Sequence, residues 1–91
     1  MAIKIGILNN QFSERLSNLL ETSGVSCYQI SEFTGIDQAY LSRLRNGSKH
    51  NPSAEVIIRI GLALVRYSKD INLYHIELLL NSAGYTLKLK Y

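Results

Sequence analysis

The stretch 27–46 constrains the fold more than any other part of the chain. Two short segments of helical spacing are separated only by Gly35-Ile36-Asp37, and each carries its own start signal. Ser26 is a fitting N-cap for the first, which runs to about Thr34 and buries Ile30 and Phe33. Asp37 caps the second, which runs to Asn46 and buries Leu41 and Leu44, and Gly47 supplies the left-handed residue that ends it. A connection this short makes the two helices cross at close range. Ser31, midway along the first, is small enough to allow the crossing. Gly35 can take a positive φ without a Cβ clash, and Ile36 plugs the turn. Leu41 and Leu44, three residues apart, pin the second helix to the core.

Together these features describe a helix-turn-helix. Around it, the spacing predicts three more helices. Asn9 and Asn10 are candidate N-caps for a first helix to about Thr22, with Phe12, Leu16, Leu19 and Leu20 as its buried stripe and Gly24 as its stop. After a polar loop over 48–52, Ser53 opens a fourth helix with Val56, Ile57, Ile60, Ala63 and Leu64 on one wide apolar face. Residues 67–72 read as a connector. A fifth helix over roughly 73–83 turns Ile76, Leu79, Leu80 and Ala83 inward, and Gly84 closes it. The two ends change period. Ile3, Ile5 and Ile7 alternate, as do Tyr85, Leu87, Leu89 and Tyr91, so a short strand is expected at the C-terminus and a second is open at the N-terminus. The expected fold is all-α, a compact five-helix bundle with short terminal strand. It forms one domain over 1–91, with 85–91 as a dimerisation arm.

Thr34-Gly35-Ile36, Tyr40-Leu41-Ser42-Arg43-Leu44, Asn46-Gly47 and Pro52-Ser53 resemble the phage-repressor and Cro superfamily, the XRE-type or lambda-repressor-like helix-turn-helix proteins. The resemblance extends from about residue 12 to 85 and is specific over 24–53. It implies a five-helix domain that binds operator DNA as a dimer and regulates transcription. The chain departs from the family pattern in three places. Cys27 stands where a phosphate-touching Gln is usual, Arg45 where a Glu commonly precedes Asn46-Gly47, and Ser31 where Ala is more usual.

In a helix-turn-helix the second helix enters the major groove with its N-terminal half toward base edges. Its outward positions here are Gln38, Ala39, Ser42 and Arg43, with Asp37 and Tyr40 at the flank. Gln38 can pair bidentately with adenine and Arg43 with guanine, Ala39 can touch a thymine methyl, and Ser42 is a permissive donor and acceptor. Candidate phosphate contacts are Ser26, Cys27 and Tyr28 at a helix N-terminus, then Arg45, Asn46, Ser48, Lys49 and Asn51. Each has a plainer alternative. Gln38 and Ser42 are ordinary solvated positions if no groove is met, and Arg43 can instead pair with Asp37. Arg45 and Lys49 can be simple surface charge. Tyr40 can pack on the preceding helix, and Cys27 can be a small filler beside a cap.

Charge supports a polyanionic partner. Ten Lys and Arg against seven Asp and Glu give only +3, yet no acidic residue falls between Gln38 and Ala54, where Arg43, Arg45, Lys49 and His50 lie. At 46% hydrophobic and 19% charged residues the composition is that of a globular chain. No apolar run approaches the roughly 20 residues of a membrane span, and no signal peptide is expected at the start. One cysteine excludes an intrachain disulfide and fits a reducing, cytoplasmic setting. His50 and His75 are expected on the surface. No metal site, cofactor or catalytic constellation is expected. The expected partner is double-stranded DNA, bound by a homodimer whose interface includes Leu87, Leu89 and the exposed side of the fifth helix. The terminal strands can pair within one chain or across that dimer. The function expected is a sequence-specific repressor on a palindromic operator. The alternatives are an antitoxin that represses its own operon and also binds a toxin, or a protein-interaction adaptor on the same fold.

Overall fold

The computed structural model describes the backbone of residues 2–86 and the side chains of residues 11–86. Five helices follow in order: α1 Ala2–Ser23, α2 Cys27–Thr34, α3 Gln38–Asn46, α4 Ala54–Tyr67 and α5 Leu73–Ser82. α3 packs on α1 and α2, and α4 packs between α2 and α5, while α5 closes back on α1.

Local chemistry decides most of the boundaries. Ser26, Asp37 and Ser53 each accept a backbone N–H of the first turn of α2, α3 and α4. Gly24, Gly35 and Gly47 are left-handed, at φ 75°, 78° and 87°. Their N–H groups return to the carbonyls of Leu20, Ser31 and Arg43. After α5, the N–H of Tyr85 reaches the carbonyl of Leu80 and that of Gly84 reaches Asn81, the double closure of a Schellman turn.

The core is continuous. Phe12, Leu16, Leu19 and Leu20 of α1 meet Ile30, Leu41 and Leu44 of the central pair. Ile57, Ile60, Ala63 and Leu64 of α4 and Ile76, Leu79 and Leu80 of α5 complete it. Val25 and Ile71, in connections between helices, are buried as well. Gly61 lets α4 and α5 approach closely, since a Cβ there would fall 2.6 Å from Cγ1 of Ile76.

Three expectations are corrected. Ile3–Ile7 is helical rather than a strand, because α1 runs on from Ala2 through Asn9 and Asn10, which therefore do not cap it. No strand occurs among the described residues: Tyr85 and Thr86 are irregular, and the remainder of the expected tail strand, 87–91, lies outside the described residues. Phe33 does not enter the core. It is 47% exposed and meets Tyr67 edge to face at 6.3 Å, because an eight-residue helix offers the core only the narrow stripe of Cys27 and Ile30. His75, expected on the surface, is partly exposed, and its Nδ1 accepts the backbone N–H of Asn72 at the start of α5.

Candidate nucleic-acid interface

α3 is held at both ends and along one side. Asp37 Oδ2 accepts the N–H of Tyr40 at 3.1 Å, and Gly47 and Lys49 both donate to the carbonyl of Arg43. Leu41 and Leu44 are 1% and 0% exposed, and Tyr40 packs half-buried against the same core. With that side fixed, 3.6-residue periodicity turns Gln38, Ala39, Ser42 and Arg43 outward, and all four are exposed. Among the described residues the one ion pair is Glu55–Arg59, on α4. The guanidinium of Arg43 is therefore not taken up by Asp37, whose carboxylate serves as the helix cap.

The flanks of α3 carry donors and positive charge. Arg45, Asn46, Ser48, Lys49 and Asn51 are exposed. Their loop is ordered by local bonds: Asn46 Oδ1 accepts the backbone N–H of Ser48 at 2.9 Å, and Asn51 holds a left-handed φ of 57° before buried Pro52. Two long-range bonds fasten this segment to the bundle. Ser17 Oγ donates to the carbonyl of Arg45 at 3.0 Å, and the Tyr85 hydroxyl donates to the carbonyl of Pro52 at 2.9 Å.

At the start of α2 the picture is narrower than the sequence suggests. Ser26 and Gln29 satisfy each other: Ser26 Oγ accepts the N–H of Gln29 and Gln29 Oε1 accepts that of Ser26, at 3.1 and 3.0 Å. Cys27 is buried at 8% exposure, so its thiol fills space beside the cap and is withdrawn from solvent. Tyr28 is 57% exposed, beside that N-terminus. Leu87 and Leu89, expected at a dimer interface, lie outside the described residues.

Sequence reasoning did not single out Ser17, Gln29, the bond between His75 and Asn72 or the tie between Tyr85 and Pro52. The Ser26-x-x-Gln29 spacing was a readable capping-box signal. The Tyr85 bond spans 33 residues and carries no local signal. Among the described residues no three His, Cys, Asp or Glu side chains gather as metal ligands. No helix of the described residues is long and apolar enough to cross a membrane.

A short capped helix presenting Gln, Ser and Arg outward from a pinned helix-turn-helix, with basic flanks, defines a DNA-binding domain. The family model of the Cro/C1-type helix-turn-helix DNA-binding domain matches residues 15–65, more than half of the chain, and the protein belongs to that family. The match begins within α1 and ends within α4, so it contains the whole of α2 and α3. No curated protein and no solved structure was found to match the chain. Membership makes this a DNA-binding transcriptional regulator.

Proposed function

We propose that the protein is a dimeric repressor that inserts α3 into the major groove of a two-fold symmetric operator. The observation that carries this is the outward row of α3: Gln38, Ala39, Ser42 and Arg43 are exposed on a helix whose opposite side is locked into the core. Gln38 and Arg43 read adenine and guanine edges, Ala39 lies against a thymine methyl, and Ser42 accepts either partner. Phosphate on one side of the groove is held by the free amides of Cys27 and Tyr28, with Ser26 acting as the cap that orients them. On the other side it is held by Arg45, Asn46, Ser48, Lys49 and Asn51, in a segment whose backbone is already fixed. A dimer follows from the geometry of such operators, whose half-sites lie one DNA turn, ~34 Å, apart. Its contacts include Leu87, Leu89 and the exposed side of α5.

Fluorescence anisotropy on a panel of operator variants tests the assignment. Arg43→Ala is expected to lose about 1–3 kcal/mol and to relax specificity at one base position. Equal weakening on every operator variant would show that Arg43 contacts only the DNA backbone.

A further inference from the structure

We infer that Lys88 and Lys90 are a further phosphate-binding element, meeting the DNA backbone beside the phosphates assigned above to Lys49 and Asn51. The charge of the chain is unevenly spread. Half of the ten Lys and Arg lie in two stretches that contain no acidic residue, 38–54 and 78–91. The first holds Arg43, Arg45 and Lys49, and the second Lys88 and Lys90. The rest of the chain carries five Lys and Arg against all seven Asp and Glu, so it is net acidic. A total of +3 thus conceals two basic stretches, and charge segregated in this way suits a polyanion that meets both.

The two stretches are far apart in sequence, and the fold joins them. Tyr85 donates its hydroxyl to the carbonyl of Pro52 at 2.9 Å, across 33 residues. Its backbone is fixed as well, with the N–H on the carbonyl of Leu80. The chain therefore leaves the bundle at the base of the loop that presents Lys49 and Asn51. Lys49 comes three residues before Pro52, and Lys88 three residues after Tyr85. Three residues of chain span at most ~10 Å, and the five to Lys90 at most ~18 Å. Each strand of a duplex carries one phosphate for every ~3.4 Å of helix axis, so both lysines reach phosphates next to those at the loop. The carboxylate nearest the tie in sequence, Glu55, is turned to another cation, pairing loosely with Arg59 at 4.0 Å. Leu87 and Leu89, assigned above to the dimer, alternate with the two lysines, so the two roles draw on different side chains.

This element rests on the DNA binding proposed above, and its test separates the two. The full chain is titrated by fluorescence anisotropy into a duplex of mixed sequence, where phosphate contacts alone hold it, over a series of salt concentrations. Lys88→Gln/Lys90→Gln is expected to lower the salt slope by about two units for each bound chain, with the helical circular dichroism of the parent. Arg66→Gln/Lys69→Gln removes the same charge about 20 Å away, at the other end of α4, and should change the slope far less. A parent chain that binds no duplex at low salt overturns the DNA reading and this element together. Parent binding with an unchanged slope in Lys88→Gln/Lys90→Gln overturns the element alone. An equal fall in both double variants does so too, since net charge rather than contact would then set the slope.

Discussion

The hydroxyl of Tyr85 joins the end of the helical bundle to the loop that carries the proposed phosphate contacts, and removing it is the most informative single change to the fold. Tyr85→Phe keeps the ring, which packs half-buried against the core, and deletes only the donor to the carbonyl of Pro52 at 2.9 Å. A neutral hydrogen bond contributes about 0.5–1.5 kcal/mol net, whereas a carbonyl left buried and unpaired costs roughly 1–3 kcal/mol. Pro52 is buried but Tyr85 is only half so, which lets water reach part of the vacated site. The two effects together place the loss near ~1 kcal/mol. For a domain of this size that is a fall in Tm of about 4–8 °C. Urea denaturation followed by circular dichroism is the assay, and its m-value should not change, since the surface exposed on unfolding is the same. Operator binding should weaken as well, because Ser48, Lys49 and Asn51 precede the anchored carbonyl in sequence. A midpoint equal to that of the parent would refute the reasoning, showing that the bond exchanges with water at no cost and does not hold the loop.

Three further outcomes are expected. Gly61→Ala gains about 1 kcal/mol of helix propensity but forces a Cβ into Ile76, and overpacking of that kind costs about 1–3 kcal/mol. Net destabilisation by urea melts should follow, with the cost much reduced when Ile76→Ala is combined with it. Ser26→Ala removes the side-chain oxygen that caps α2 and leaves the backbone N–H of residue 26 on Gln29 Oε1, for a loss of roughly 0.5–2 kcal/mol read by thermal denaturation. Lys49→Ala should weaken binding to all DNA sequences alike and lower the salt slope of anisotropy titrations by about one unit; an unchanged slope would remove it from the phosphate contacts.

The legible parts of this fold are those decided within a few residues. Ser26, Asp37 and Ser53 cap where their side-chain chemistry says they should, and Gly24, Gly35, Gly47 and Gly84 take the positive φ that their positions require. The central pair of helices was readable because a short turn demands small, flexible and apolar residues at set places. The N-terminus was misread for a physical reason. Ile3, Ile5 and Ile7 fit the strand period, but Ile3 and Ile7, four residues apart, fit the helical period as well, and no proline or glycine after Leu8 interrupts the continuation into α1. Phe33 was misplaced because hydrophobicity does not say how much of a short helix its neighbours can cover. Ile71 was hidden in a connector whose polar neighbours masked it, although it is only 5% exposed. In the candidate interface, the outward row of α3 followed from Leu41 and Leu44. The bonds from Ser17 and Tyr85 that brace its flanks depend on packing between distant segments, which no local pattern encodes.

Selection of binding sites from a random duplex library, with Gln38→Ala/Arg43→Ala carried in parallel, tests the central claim most directly. The account predicts enrichment of a two-fold symmetric site with half-sites about one DNA turn apart, and loss of that enrichment in the double variant. Failure to enrich any site at low salt, or enrichment of the same site by the double variant, would contradict it.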